Sequence, residues 1–140
     1  MALISYTDAQ LRELARLMRA EAEEDGEQGM LLVGNVGVNR VITDCLDFEE
    51  IRSLPDMIYQ SPGGFEAVQE SYFYQRAREK EIRLARRAVQ GDRIHPGRFS
   101  LWFFRPPGDC PPEWFGQPFA GEFGAHCFYE PFPGECPEIH

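Results

Sequence analysis

The sequence predicts a small α+β domain in which helices come first and a small β element comes last. Apolar residues recur at helical spacing through much of the first ninety residues. Two short, aromatic-rich runs follow after position 98, and most of the 13 Gly and 11 Pro residues lie in the second half. Because 140 residues is an ordinary size for one compact domain, we expect residues 1–140 to form a single domain.

The first helix is predicted to begin near residue 8, because Thr7 or Asp8 can cap its N-terminus. Its apolar stripe follows the i, i+3, i+4, i+7 pattern and consists of Leu11, Leu14, Ala15 and Met18. Three residues further along that stripe is Glu21, which falls between Leu14 and Leu17 on a helical wheel. The pattern therefore places a carboxylate at the edge of the apolar face.

A second helix is predicted over "MLLVGNVGVNRVI", after two glycines in "EDGEQG" interrupt the first. This run is apolar all round, which suits either a buried helix or a strand. Thirteen residues are long for a strand, so we expect a buried helix with Gly34 and Gly37 at a close helix crossing.

The remaining elements are predicted from caps, breakers and periodicity. Ser53 and Pro55 have the cap and the early proline that begin short helices. From Glu66 to Gln90 the spacing is again helical, and Gly91 ends the pattern. The runs "RFSLWFFR" and "HCFYEP" indicate two strands joined by a proline-rich loop.

Charge and hydropathy argue against several classes of protein. The net charge is −9 and no Lys or Arg follows Arg105, so we expect no nucleic-acid binding through phosphate neutralisation. No apolar run of about 18 residues indicates a membrane span. The start "MALISYTDAQ" has neither the cationic residues nor the apolar core of a secretory signal, so we expect synthesis in a cytoplasm.

The cysteine spacing does not indicate a zinc knuckle or a redox dithiol. The four cysteines are Cys45, Cys110, Cys127 and Cys136, with no CxxC pair. A metal site that combined the last three with His126 would fit no common ligand spacing. Cys110 and Cys136 both lie beside prolines in loop-like sequence, so they are our candidate disulfide in an oxidising compartment. The alternative is that the cysteines are free thiols without a functional role.

Glu21 is the candidate catalytic residue. Burial disfavours the charged form of a carboxylate and raises its pKa. Cleavage of a glycosidic bond requires such an acid at neutral pH, because the departing oxygen must receive a proton. The alternative is a glutamate at a helix end that reaches water. Asp25 or Glu27 is the candidate second acid, although the neighbouring glycines favour a loop over a rigid position.

An acidic cluster after Glu21 raises a further alternative, a calcium-responsive enzyme. Its members are Glu23, Glu24, Asp25 and Glu27. Carboxylate oxygens suit Ca²⁺, yet the EF-hand spacing is absent and a solvated acidic turn is the simpler interpretation. We therefore expect no cofactor, with Ca²⁺ as the alternative.

Several ordered blocks resemble one known family. These are "RLMRAEAE", "GEQGMLLVGNVGVNRV", "IYQSPGGFEAV", "SLWFF" and "HCFYEP". Together, from about Leu11 to Pro131, they resemble the spore cortex-lytic cell-wall hydrolases of the SleB and CwlJ type, and the CwlJ branch most closely. The resemblance implies a mainly helical, lysozyme-like fold, related to transglycosylases and resuscitation-promoting factors.

The resemblance also implies which residues act. The family's single catalytic glutamate aligns with Glu21, and one acid suffices in the lytic transglycosylase mechanism of the SleB type. From the family blocks and the aromatic pattern, the residues expected to line a glycan groove are Gln60, Phe65, Trp102, His126 and Tyr129. His126 begins the last predicted strand, where a purely structural role is the alternative.

The implied substrate is the glycan of spore cortex peptidoglycan, which contains muramic δ-lactam and is degraded during germination. The resemblance implies synthesis in the mother cell without a signal peptide and deposition at the spore coat, at the boundary between cortex and coat. It further implies recruitment by a coat protein of the GerQ type and activation linked to calcium dipicolinate. A protein with the same fold that binds cortex or coat without cleaving glycan is the alternative.

Overall fold

The structure, a computed structural model, describes residues 2–61 and 64–139. Four α-helices come first: α1 (Asp8–Ala22), α2 (Gly26–Ile42), α3 (Leu54–Ile58) and α4 (Glu79–Val89). Short 3₁₀ turns connect them at Glu23–Asp25, Leu46–Phe48, Glu66–Gln69 and Ser71–Tyr74, and another lies at Pro137–Ile139. Four strands follow α4: β1 (Trp102–Phe104), β2 (Glu113–Trp114), β3 (Gln117–Phe123) and β4 (His126–Tyr129). The predicted α+β order is confirmed.

Helix α1 begins where the sequence predicts. The Thr7 side chain accepts a hydrogen bond from the Gln10 backbone N–H, and the Gln10 side chain accepts one from the Thr7 backbone N–H. This reciprocal capping box satisfies two donors that the helix would otherwise leave without partners. The predicted stripe is buried, and both Leu14 and Leu17 are inaccessible to water. Glu21 therefore lies in the last turn, at the edge of the core-facing surface.

Helix α2 is the buried central helix, as predicted. All its residues from Gly29 to Val41 are buried. Gly34 lies at a crossing with α4, where an added Cβ would lie 2.9 Å from the Cβ of Ala88. Gly37 faces Met57 of α3 with a comparable 2.8 Å approach to its terminal methyl group. The expected close crossings are confirmed at both glycines.

Two asparagines of α2 hold the segment that leads into the sheet. Asn35 donates to the Asp92 carbonyl and accepts from the Ile94 backbone N–H. The Asn39 amide nitrogen lies 3.0–3.2 Å from the carbonyl oxygens of Gly97, Arg98 and Ser100. Buried amides satisfy backbone groups that a helix or a ladder cannot reach. These bonds fix where β1 begins relative to α2.

The prediction of one helix from Glu66 to Gln90 is wrong in its first half. Two 3₁₀ turns occupy that part, and only α4 is α-helical. The backbone is extended at Glu70 (φ −99°, ψ 144°) and Gln75 (φ −70°, ψ 146°), which interrupts any continuous helix. The irregular path lets both Ala67 and Phe73 reach the helical core. Tertiary packing therefore overrides the local periodicity here.

The sheet is larger than predicted. The two predicted strands exist as β1 and β4 and pair antiparallel, but the supposed loop between them contains the hairpin β2–β3. The resulting strand order is β1-β4-β3-β2. The hairpin turn consists of Phe115 and Gly116, both at positive φ (47° and 84°), which is the geometry of a type I′ turn. A β2 of two residues and a Phe at the first turn position gave no recognisable hairpin signal.

The candidate disulfide between Cys110 and Cys136 is also wrong. Cys45 pairs with Cys136, and Cys110 pairs with Cys127. Both prolyl-flanked cysteines are bonded: Cys136 to Cys45, just before the 3₁₀ turn Leu46–Phe48, and Cys110 to Cys127 in β4. No helix within residues 2–61 and 64–139 is long and apolar enough to cross a bilayer.

Candidate active site

A cleft with a volume of about 720 Å³ lies where the helices meet the sheet. One wall comes from α1 and α2, a second from the segment around residues 64–70, and a third from β1, β2 and β4. The lining residues are Ala20, Glu21, Arg40, Gly64, Phe65, Glu66, Ala67, Glu70, Phe103, Phe104, Arg105, Trp114 and His126. Three of the six predicted site residues, Glu21, Phe65 and His126, are thus brought together in one cavity.

Glu21 is half-buried in this cleft, and burial raises its pKa above the ordinary value. The nearby charge of Glu66 raises the pKa further, whereas the Ala67 backbone N–H and the charges of Arg40 and Arg105 lower it. Desolvation is the largest of these effects, so the raised direction prevails. The carboxyl group consequently keeps its proton to a higher pH than an exposed glutamate would.

Arg40 is a buried cation on the floor of the cleft. Burial lowers its pKa to about 10, while the charges of Glu21 and Asp47 act in the opposite direction, so it is charged at neutral pH. Its Nε donates to the Leu101 carbonyl at 2.8 Å. Its guanidinium lies over the rings of Phe48 and Phe65, 4.7 and 4.6 Å from their centroids. Arg40 therefore connects the catalytic candidate to the aromatic wall.

The aromatic wall is built from rings of three segments. Phe65 packs against Phe103 with ring centroids 5.8 Å apart, and Phe103 is edge-on to His126 at 5.3 Å. On the sheet side Phe104 stacks on Trp114 at 3.9 Å and 20°. Flat rings at a cleft edge suit the C–H faces of sugars.

His126 is held by a residue from the other end of the chain. Its Nδ1 lies 2.6 Å from Oδ2 of Asp25, in the turn after α1. The side chains of His126 and Asp25 are only 5% and 8% exposed. Asp25, one of the two candidate second acids, is thus engaged with a histidine. Glu27, the other, is exposed and lines a separate groove with basic residues of α4.

Three residues predicted to line the groove, Tyr129, Trp102 and Gln60, do not contribute to the described cleft wall. Tyr129 is fully buried, and its hydroxyl donates to the Pro111 carbonyl. Trp102 packs against Phe48 and the core instead of the cleft. All four residues of β4 are buried, including Tyr129, whereas Trp102 in β1 is half-buried; the sequence revealed neither packing direction. Gln60 donates to the Asp47 carbonyl and does not contribute to the described cleft wall.

Among the cleft residues that sequence reasoning did not select are Arg40, Glu66, Arg105 and Trp114. Arg40 did carry a signal, because an arginine inside a helix that is apolar all round must be buried and therefore paired. The other three lie in segments whose path is set by long-range packing.

Within the acidic cluster, Glu23 binds Arg19 and Arg78. Among the residues that the structure describes, no group of three or more potential ligands is arranged to hold a metal ion.

Residues 24–129 match the family described as Cell Wall Hydrolase. The chain belongs to the cell wall hydrolase family. Its matched region begins three residues after Glu21 and contains most of the cleft. Three relatives named cell wall hydrolase CwlJ extend the similarity over nearly the whole chain, so the matched region includes the segment that contains Glu21. The Oceanobacillus iheyensis protein is 60% identical over 99% of both chains. The proteins of Halalkalibacterium halodurans and Bacillus subtilis are 59% and 54% identical, each over 100% of this chain and 98% of its own length.

Solved structures place this cell wall hydrolase in a known fold. The crystal structure of the catalytic domain of the Bacillus cereus SleB protein superimposes with a TM-score of 0.71 at 20% identity, covering 90% of this chain and 93% of that one. The catalytic domain of the germination-specific lytic transglycosylase SleB from Bacillus anthracis gives 0.70, also at 20% identity, over 90% and 98%. The fold that the resemblance implied is confirmed.

Proposed function

We propose that this cell wall hydrolase cleaves glycosidic bonds in the muramic δ-lactam-containing peptidoglycan of the spore cortex during germination. The observation that carries the proposal is Glu21, an acid whose pKa is raised by burial and which lies in the main cleft. A protonated carboxylic acid is what the departing glycosidic oxygen requires near neutral pH.

In the first step the Glu21 carboxyl group donates its proton to the glycosidic oxygen as the bond to the anomeric carbon breaks. Positive charge then develops on the sugar ring, and Glu21 is left as a carboxylate beside it. Arg40 and Arg105 oppose full neutralisation of Glu21 but stabilise the carboxylate once the proton has left. The same residue is thereby prepared for the second step.

In the second step the Glu21 carboxylate removes a proton from the attacking group. In a lytic transglycosylase that group is the 6-hydroxyl of the muramoyl sugar, which closes an anhydro ring; in a hydrolase it is water. The ring-closing route requires no nucleophilic carboxylate. We favour it because neither second acid predicted from the sequence is available: Asp25 is bound to His126, and Glu27 lies outside the cleft. Two other carboxylates, Glu66 and Glu70, line the cleft and are exposed.

The cleft suits a polymeric sugar better than a small apolar ligand. Phe104 and Trp114 present stacked rings in the same cleft as the acid. Arg40, Arg105 and Glu70 supply polar groups for hydroxyl and amide contacts. Among the relatives, the CwlJ proteins are named cell wall hydrolases and the Bacillus anthracis SleB domain is named a germination-specific lytic transglycosylase. Both names agree with a glycan substrate.

The test replaces the acid and follows the products. Glu21→Gln keeps the shape but removes the transferable proton, so release of muropeptides from decoated spores should fall by about 10²- to 10⁴-fold. Glu27→Gln is the matched control, since Glu27 is exposed and outside the cleft. Unchanged release by Glu21→Gln would reject the assignment of the catalytic acid to Glu21. No release by the native protein would instead favour the alternative of a cortex-binding module.

Mass spectrometry of the products separates the two routes. An anhydro end and a reducing end differ in mass by one water. Anhydro ends in the products of the native protein would support ring closure. Reducing ends alone would make the protein a simple hydrolase, with Glu21 activating water.

We also propose that the protein acts at the boundary between cortex and coat, where a coat protein of the GerQ type would retain it. The support is the resemblance to the CwlJ branch together with 54–60% identity to proteins of that name. Fractionation of spores that express a tagged protein tests this placement. Recovery in the coat fraction, lost when the coat protein is deleted, is the expected result.

A further inference from the structure

We propose that Asp25 is a positioning residue for His126: its carboxylate fixes the imidazole with the proton on Nδ1, so that Nε2 accepts a hydrogen bond from a sugar hydroxyl. This inference rests on the proposed function, because it assigns a second polar contact to the same glycan cleft. It concerns a residue that lies four positions after the catalytic candidate, in the 3₁₀ turn Glu23–Asp25.

The Asp25 carboxylate is buried and has two donors. Its Oδ2 is 2.6 Å from Nδ1 of His126, and its Oδ1 accepts from the Ala125 backbone N–H at 3.3 Å. Gly124 covers the remaining side at φ +57°, and any Cβ at that position would collide with the carboxylate. A buried carboxylate persists only with such partners. The turn before β4 is therefore built around Asp25.

The geometry determines which ring nitrogen remains for a ligand. An ionised carboxylate has no hydrogen to donate, so the 2.6 Å contact requires the proton on Nδ1. The Nε2 atom has no hydrogen-bond partner among the residues that the structure describes. The edge-on contact with Phe103 at 5.3 Å restrains the ring plane. His126 lines the same cleft as Glu21 with 5% of its side chain exposed, and we assign the contact with the glycan to its remaining ring nitrogen.

The chemistry of the acceptor identifies the contacted group. A neutral imidazole with Nδ1 protonated presents a lone pair at Nε2, which complements an O–H donor. Sugar hydroxyls are the most abundant donors on a glycan. Asp25 itself is covered and engaged, so it acts through His126 without touching the substrate. Its role differs from that of a nucleophilic second acid.

Asp25→Asn is the principal variant because it preserves the shape of the side chain but replaces one acceptor oxygen with an NH₂ donor. The asparagine amide can donate to Nδ1, which would leave the proton on Nε2 and convert the acceptor into a donor. Long-range ¹H–¹⁵N NMR of the imidazole distinguishes the two tautomers. We expect Nδ1–H in the native protein and a shift toward Nε2–H in Asp25→Asn.

Binding is measured on protein that carries Glu21→Gln, with purified glycan fragments from cortex peptidoglycan as the probe. Asp25→Asn should weaken binding by up to about tenfold, the effect of one hydrogen bond of ordinary strength, because the sugar hydroxyl loses its acceptor and must turn to accept from Nε2–H instead. His126→Gln should weaken it similarly. Adding Asp25→Asn to His126→Gln should cause little further loss, because Asp25 acts only through the histidine.

Three results would overturn the inference: an Nε2–H tautomer in the native protein, unchanged binding when the tautomer has changed, or additive losses in the double variant. The tautomer is read without turnover, so it stands apart from the Glu21 assignment. If Glu21→Gln proved fully active while the tautomer and binding results held, the proposed mechanism would fail and the role of Asp25 would remain. A variant that unfolds is identified by its NMR spectrum, and His126→Gln then decides the binding question.

Discussion

At the scale of single residues, the burial that raises the pKa of Glu21 favours catalysis but lowers the free energy of unfolding at neutral pH. The folded state binds its proton more tightly than the unfolded state does, since burial raises the pKa from an ordinary 4.5. As the pH rises from 4.5 through the raised pKa, the unfolded chain loses its proton first. The free energy of unfolding therefore falls across that window and does not recover above it.

Replacement of Glu21 by Gln should accordingly stabilise the fold at neutral pH. The amide has no proton to lose, and each unit by which the pKa was raised corresponds to about 1.4 kcal/mol of unfolding free energy. Urea unfolding at pH 7 and at a pH below 4 should show a gain at the first pH that disappears at the second. Glu27→Gln, on an exposed side chain, should change stability by less than about 0.5 kcal/mol at either pH. A gain of equal size at both pH values would contradict the argument.

The pH dependence of cleavage should respond to charges around the cleft in opposite directions. Glu66 raises the pKa of Glu21 and Arg105 lowers it. Glu66→Gln should therefore move the alkaline limb of kcat/KM to lower pH, and Arg105→Gln should move it to higher pH. Because both side chains are exposed, both displacements should shrink as salt is added. Displacements in the same direction would show that the two charges do not act through Glu21.

The position of Glu21 was predictable, whereas its electrostatic surroundings were not. Helical periodicity is local, so Leu14 and Leu17 sufficed to place the carboxylate at the edge of a buried stripe. Arg105 and Glu66 reach it only through the path of distant segments. Their contribution to its pKa depends on tertiary distances that no spacing in the sequence encodes.

At the scale of elements, α2 organises the molecule because it is packed on every side. Its glycines allow α3 and α4 to approach closely, and its asparagines bind the segment that leads to β1. Its Arg40 reaches the cleft beside Glu21. One buried helix therefore sets the position of the acid, the aromatic wall and the sheet relative to each other.

Substitution of the two glycines by alanine should have unequal effects. Gly34→Ala meets the Ala88 methyl, which α4 holds rigidly, and should destabilise the fold by about 1–3 kcal/mol. Gly37→Ala meets the flexible end of Met57, and a gain in helix propensity of about 1 kcal/mol should offset much of the cost. Urea unfolding measures both. In an Ala88→Gly background the cost of Gly34→Ala should be smaller, and equal costs in the two backgrounds would contradict a clash at Ala88.

Elements with strong local signals were predictable from the sequence. The Thr7 cap and the Ser53 cap both begin helices at the predicted residues. The 3₁₀ turns around Phe73 were not predictable, because they bury that side chain against distant partners. The hairpin at Phe115 and Gly116 was not predictable either, because its two-residue turn begins with an exposed Phe instead of a typical turn residue. In such short elements the intrinsic preference is too weak to compete with packing.

At the scale of the whole molecule, two disulfides close the chain at different places. Cys45–Cys136 spans 91 residues and joins the segment after α2 to the C-terminal 3₁₀ turn, whose Ile139 is buried. Cys110–Cys127 spans 17 residues and joins the proline-rich segment to β4 directly after His126. Neither pairing follows from sequence, since each depends on which backbone segments the fold brings together.

We therefore expect Cys45–Cys136 to contribute more to stability and Cys110–Cys127 to contribute more to activity. In the chain-entropy description, closing 91 residues stabilises the fold by about 4–5 kcal/mol and closing 17 by about 3 kcal/mol. The double variant Cys45→Ala/Cys136→Ala should lose more unfolding free energy in urea than Cys110→Ala/Cys127→Ala does. Cleavage of cortex glycan, measured at a temperature where both are folded, should suffer more from the second pair, because β4 carries His126 into the cleft. If loss of Cys45–Cys136 instead had the larger effect on both unfolding free energy and cleavage, activity would depend on global stability and not on the local anchoring of β4.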